Sequence, residues 1–166
     1  MSRAFVKEDS ESGAGEIADL PQSSHPNYVT PRGLAELKGR LAAAQTRRGD
    51  LLARGDGGDG ALALANIARE IRYLEARIER AILVDPATQP RDEVAFGARV
   101  VVADPTGAER EFAIVGEDEA VAEQGSVSWV SPLAKALIGA AIGDEIVWRR
   151  PAGEITLEVR AIRYET

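Results

Sequence analysis

The chain has 166 residues, 45% of them apolar and 28% charged, enough to bury a core but too short for more than two small domains. It contains no cysteine and one histidine, His25, which excludes disulfide frameworks and thiolate chemistry and nearly excludes histidine-based triads and zinc sites. The net charge of -7 is unevenly spread: residues 1–29 hold two basic and five acidic groups, residues 30–83 ten and seven, and residues 84–166 eight and fifteen. The middle of the chain is thus the basic piece of an acidic protein, and free duplex nucleic acid is not an expected high-affinity partner for the whole. No apolar run approaches the roughly 18 residues of a membrane span and the N-terminus has no apolar targeting region, so the reading is a soluble cytoplasmic protein without a membrane partner.

Residues 1–29 are polar and acidic, as in Lys7-Glu8-Asp9-Ser10-Glu11-Ser12, and show no apolar period, which predicts a flexible arm. Thr30-Pro31 is a helix start, an N-cap hydroxyl followed by the one helical position that tolerates proline. A first helix is predicted from Pro31 to Ala53 on the spacing of Leu34, Leu37, Leu41, Ala44 and Leu51. A second is predicted from Ala61 to Leu83. Its seam is Ile67, Ile71, Leu74, Ile78 and Ala81, with Arg69, Arg72, Glu75, Arg77 and Glu79 facing outward.

Between them lies Gly55-Asp56-Gly57-Gly58-Asp59-Gly60, a density of glycine that breaks a helix and accepts a tight reversal. Residues 30–83 therefore read as an antiparallel coiled-coil hairpin with arms of roughly 30–35 Å. Its tip carries two carboxylates, Asp56 and Asp59. They are either a solvated Asp-Gly turn or ligands being delivered to a site elsewhere. A calcium loop is a poor alternative, because the twelve-residue spacing and terminal glutamate are missing.

Residues 84–92, with Pro86 and Pro90, form a linker, and residues 93–166 a second domain. Strands are predicted at Arg99–Ala103, Arg110–Val115, Ser126–Trp129, Glu145–Trp148 and Glu154–Tyr164, with one short helix at Pro132–Ile138. The class is α+β, a helical hairpin followed by a small antiparallel sheet. Trp129 and Trp148 read as core or sheet-face aromatics, and His25 as an incidental residue of the arm.

Phe96-Gly97-Ala98, Ile114-Val115-Gly116-Glu117-Asp118-Glu119-Ala120, Ser131-Pro132-Leu133-Ala134-Lys135-Ala136-Leu137-Ile138-Gly139, Gly143-Asp144 and Pro151-Ala152-Gly153-Glu154 follow one another as in a known family. In order and spacing the chain resembles the bacterial GreA/GreB transcript cleavage factors. Thr30-Pro31-Arg32-Gly33 looks like the start of that family's hairpin, and Ser2 to Asp9 is similar to extensions on some members. The resemblance implies an FKBP-like C-terminal domain that docks on RNA polymerase through the neighbourhood of Ser131, Pro132, Leu133 and Lys135. It also implies a coiled coil that enters the polymerase secondary channel. Asp56 and Asp59 would then help hold a magnesium ion at the polymerase active centre, which cleaves backtracked RNA. The factor itself is accessory rather than an enzyme.

Magnesium keeps several waters and is commonly bound by one or two carboxylates together with substrate phosphates, so a mobile acid pair suits it. Arg47, Arg48 and Arg54, with Arg69 and Arg72, would offset phosphate charge on the nascent RNA, or else form an ordinary solvated coiled-coil face. Likewise Ser131-Pro132 is by itself a helix N-cap with proline at N1, and Val130 stands where relatives tend to have Asn or Asp.

Two departures from the family pattern matter. Gly60-Ala61-Leu62-Ala63 replaces an Asn-Ala-Glu-Tyr run, and each arm is about two helical turns short, on the order of 10 Å. A shortened hairpin resembles the Rnk-type relatives, which bind polymerase without stimulating cleavage, and makes a non-cleaving channel competitor the first alternative. Peptidyl-prolyl isomerisation is a remote second, with few aromatics to furnish a proline pocket.

Overall fold

A computed structural model describes residues 17–55 and 58–165. Strand β1 (Asn27–Val29) leads into helix α1 (Pro31–Arg54), which is followed by helix α2 (Gly58–Glu79) and strand β2 (Ala81–Leu83). Thr30 caps α1 by accepting a 3.0 Å hydrogen bond from the Gly33 amide, with Pro31 in the first turn. Gly55 ends α1 at φ 64°, a left-handed conformation that glycine adopts without a Cβ clash. The 24 and 22 residues of the two helices give arms of about 36 and 33 Å. Leu37, Ala44, Ile71 and Leu74 are buried along their seam together with Val29, and Leu34, Leu41, Ile67 and Ile78 flank it.

The second helix stops short of its predicted end. Residues Ala81–Leu83 leave the helix and pair in parallel with Asn27–Val29, Tyr28 opposite Ile82, while Val84 N donates to Val29 O at 2.9 Å. The β-branched and aliphatic run there is satisfied equally well by a strand, and β1 supplies the backbone partners that a helix would otherwise provide. This also corrects the expectation of an unstructured arm through residue 29. Parallel strands need a crossover between them, and here the whole hairpin is that crossover, so the ribbon staples its open end.

Beyond a single 3₁₀ turn at Pro86–Thr88 come β3 (Ala98–Ala103), β4 (Glu109–Val115), β5 (Ser126–Ser128), helix α3 (Pro132–Leu137), β6 (Glu145–Arg150) and β7 (Gly153–Tyr164). The sheet order is β5-β4-β3-β7-β6. It is antiparallel at three pairings, and β5 joins β4 in parallel. The core between sheet and α3 contains Val100, Val102, Ile114, Leu133, Leu137, Ile146 and Val159. The α+β class follows directly from this arrangement.

One acidic loop, Glu117 to Glu119, joins the hairpin to the sheet. Arg77, expected on the outer face of α2, is only 1% exposed. Its Nε donates to Asp118 Oδ2 at 2.6 Å, its Nη2 donates to Asn27 Oδ1, and Asn27 Nδ2 returns a 2.7 Å bond to the Arg77 carbonyl. The heptad places Arg77 correctly off the helix seam, but near the root that outer face is covered by the second domain. Glu119 closes the opposite side, accepting from the Thr30 amide at 3.1 Å, from the Thr30 hydroxyl and from the Gly116 amide at 3.2 Å.

Both glycines beside Glu119 are there for space. A Cβ on Gly33 would lie 2.0 Å from Glu119 Cδ, and one on Gly116 would lie 2.5 Å from the Tyr28 carbonyl oxygen. Tyr28 in turn stacks edge-on against Trp129 at 5.0 Å and tilts onto Phe96 at 5.9 Å.

Truncating Arg77→Ala removes one partner of a buried charge pair and is expected to cost about 3–5 kcal/mol in urea unfolding. Gly116→Ala, which sets a methyl against backbone, is expected to cost about 1–3 kcal/mol in the same measurement. Tyr73 donates its hydroxyl to Asp118 at 3.0 Å, and burial first, then the Asp118 charge, raises its pKa above the usual 10.0. The folded chain therefore holds that proton where the unfolded chain has released it, and stability falls as pH rises above about 10. Tyr73→Phe should flatten the alkaline limb of a stability-against-pH curve, and an unchanged limb would refute the assignment.

Candidate functional site

The acids expected to form the site, Asp56 and Asp59, belong to the end of the hairpin remote from the acidic loop. Asp59 lies in the first turn of α2 and is exposed, where the helix dipole favours a negative charge. Asp56 lies outside the described residues. Among the described residues no cluster of three or more metal-ligating side chains occurs. An exposed carboxylate is a hard oxygen donor of the kind that magnesium takes together with phosphates and water. Asp59 fits that role, because an exposed carboxylate keeps both oxygens open to an incoming cation.

The residues that follow offer it no polar support. Gly60 is buried, while Leu62 of α2 and Leu52 of α1 are 61% and 59% exposed, so the tip is flanked by leucine.

The predicted basic residues divide. Arg48 and Arg54 are exposed near the tip, whereas Arg47 is already bonded across the hairpin to Glu70 at 2.8 Å. Arg72 binds Asp19 of the N-terminal segment at 2.7 Å, and Arg69 is half-buried.

The predicted docking residues also divide. Ser131 caps α3 through the Ala134 amide at 3.2 Å, and Pro132 and Lys135 are exposed. Leu133, expected with them, is 2% exposed and packs in the core, so it can serve docking only by fixing α3. Trp129 packs at the edge of the core, and His25, expected to be incidental, lies edge-on to it at 6.1 Å. Trp148 meets Phe112 at 6.0 Å on the sheet and carries the Arg150 guanidinium 5.2 Å from its ring centre.

The sequence points to the tip of the hairpin and gives no direct notice of its root. The residues that aim the hairpin are Asn27, Tyr28, Arg77, Asp118 and Glu119. The signal was present in the uninterrupted acids of Gly116-Glu117-Asp118-Glu119, since three adjacent carboxylates on a folded loop call for cations or amide donors nearby.

Residues 89–164 match the family model described as transcription elongation factor, GreA/GreB, C-terminal. Transcription elongation factor GreB of Neisseria meningitidis serogroup B is 36% identical over 153 residues, covering 83% of this chain and 94% of that protein. Transcription elongation factor GreA of Thermodesulfovibrio yellowstonii is 40% identical over 100 residues, covering 60% of this chain and 63% of its own length. A solved GreA/GreB factor from Nitrosomonas europaea aligns over 83% of this chain and 99% of its own, at 22% identity and a TM-score of 0.42. With the Neisseria relative matched along nearly its whole length, the chain belongs to the GreA/GreB family of transcription elongation factors.

Proposed function

We propose that this elongation factor binds RNA polymerase at the secondary channel and stimulates cleavage of RNA in backtracked complexes. The observation that carries the reading is Asp59, an exposed carboxylate in the first turn of α2 at the far end of a hairpin about 33–36 Å long. A magnesium ion held by the polymerase would supply activation of the attacking water and stabilisation of the developing oxyanion. This chain's part is to bring Asp59 and its neighbour Asp56 to that ion as additional oxygen ligands. Arg48 and Arg54 would lower the cost of approaching the RNA phosphates, and Ser131, Pro132 and Lys135 on α3 would hold the sheet domain at the channel rim.

The expected result is faster release of short 3′ RNA fragments from stalled complexes with the wild type. Asp59→Ala and Asp56→Ala should each reduce that acceleration by on the order of tenfold or more, without loss of polymerase binding. Wild-type protein that binds polymerase but leaves the cleavage rate unchanged would overturn the reading.

A second reading, a channel competitor without cleavage activity, is favoured by one specific feature. The tip presents Leu52 and Leu62 to solvent instead of polar groups that would orient the acids. A competitor would inhibit cleavage by another family member in the same assay, and Asp59→Ala would leave that inhibition intact.

A further inference from the structure

A cavity of about 220 Å³ opens beside the root of the hairpin, on the face of the sheet turned away from α3. Its walls come from three parts of the chain: Pro31 and Arg32 at the start of α1, Asp85 and Pro86 at the 3₁₀ turn, and Ala113 and Val115 of β4. Ala113 and Val115 flank the core residue Ile114, and strand alternation turns them to the opposite side. With the two prolines they give the cavity an apolar lining.

The charge around that lining is negative. Asp85, Glu119 and Glu165 share the walls with two guanidiniums, Arg32 and Arg99. Both guanidiniums are already engaged, Arg32 with Glu36 at 2.7 Å, and Arg99 with Glu165 at 2.6 Å and Glu111 at 3.3 Å. Arg163 lies 3.7 Å from Glu111, so five carboxylates stand against three guanidiniums. Among the described residues, Asp85 and Glu119 accept only from uncharged donors, the Ala87 amide for the first, Thr30 and the Gly116 amide for the second. The arginines feel the same field. The hydrogen bond to Glu36 first, then among the charges Glu36, Glu119 and Glu165, hold Arg32 above the usual arginine range, and the bond to Glu165 does the same for Arg99.

Such a cavity selects a cation, and its shape selects the kind. No three metal-ligating side chains come together among the described residues, so these acids stand too far apart to share one small ion. Charges separated by an apolar chain match them, with methylenes lying on Pro31, Pro86, Ala113 and Val115 and ammonium groups reaching the carboxylates. An apolar cavity of about 150 Å³ accommodates benzene, so 220 Å³ takes a slender chain of about ten non-hydrogen atoms.

We propose that this cavity binds a linear aliphatic polyamine, two or three ammonium groups spaced by methylenes. Because its walls belong to the hairpin, to the segment after β2 and to the sheet domain, the bound chain ties the hairpin to the sheet, and its binding free energy adds to the stability of that arrangement. The site stands whether or not Asp56 and Asp59 support cleavage.

The test titrates spermidine into the full chain in about 0.1 M salt, where charges more than about 10 Å apart are screened, and follows backbone amide NMR shifts and calorimetric heat. Saturable binding at one site is expected, with the largest shifts at Arg32, Val115 and Ser126, which line the cavity. Asp85→Asn with Glu165→Gln removes two charges, keeps a side-chain oxygen to cap the 3₁₀ turn, and should weaken binding roughly fivefold or more. Hexaamminecobalt(III), a compact trivalent cation without methylenes, should bind at least about tenfold more weakly than spermidine. Changing three exposed acids elsewhere on the sheet domain, Glu109→Gln, Glu123→Gln and Glu145→Gln, should leave the affinity within about twofold. No saturable binding, shifts centred away from the cavity, an unchanged affinity in the Asp85 and Glu165 variant, equal binding of hexaamminecobalt(III), or an equal loss in the three-acid variant overturns the proposal.

Discussion

A guanidinium taken out of water at the root of the hairpin is the constraint on which the rest of the molecule depends. Burying a charge is expensive unless partners replace its hydration, and Arg77 at 1% exposure is compensated by Asp118, by Asn27 and, at 3.8 Å, by Glu117. Those partners come from two other parts of the chain, so the bonds form only when the pre-hairpin strand, the second helix and the acidic loop of the sheet domain meet in one geometry. Apolar packing alone would tolerate sliding there, whereas directional bonds to a planar, five-donor group do not. Glu119 completes the fixation from the other helix, because its carboxylate bonds the Thr30 that starts α1 as well as the Gly116 amide of its own loop.

Stiffness at that point matters because of leverage. With an arm of about 36 Å, a rotation of roughly 5° at the root moves the tip by about 3 Å, more than the whole 2.0–2.1 Å of a magnesium–oxygen bond. A tip acid can act as a ligand only if the root holds the angle, or if a partner's surface does so after docking. The parallel ribbon of β1 and β2, the Arg77 cluster and the Tyr28 aromatic contacts with Trp129 and Phe96 all lie at that end. The molecule thus concentrates its directional bonds at the fulcrum and leaves glycine, alanine and leucine at the load.

What could be read from the sequence was whatever depends on neighbours a few residues away. The caps at Thr30 and Ser131, the seam through Ile71 and Leu74, the reversal at Gly55 and the positions of β3 to β7 all follow from local period and turn chemistry, and each is seen within a few residues of its expected limits. The pairing of Asn27–Val29 with Ala81–Leu83 was not legible, because over fifty residues separate the partners and the run Ile82-Leu83-Val84 suits helix or strand until a partner strand is supplied. Arg77 was misplaced for a related reason. Helical periodicity says which face a residue occupies but not what covers that face, and polar residues off a coiled-coil seam are ordinarily solvated.

The same distinction separates the two ends of the hairpin as functional elements. At the root, each acid of Glu117-Asp118-Glu119 has a cation or donor within the chain, Glu117 through the Ser23 hydroxyl and, at 3.8 Å, Arg77, so the acidity of that loop serves internal structure. At the tip, Asp59 is exposed in the first helical turn and the nearby Arg48 and Arg54 are exposed as well. Acids bonded at the root and an exposed Asp59 at the tip are what the proposed lever requires, a fixed fulcrum and a free end. Around Asp59, Gly60 is buried and the residues from Ala61 to Ala65 are alanine and leucine, with no polar side chain to fix the carboxylate's rotamer. Under the proposed role, orientation of the acid comes from whatever receives it, and the chain supplies reach and charge rather than a preformed site.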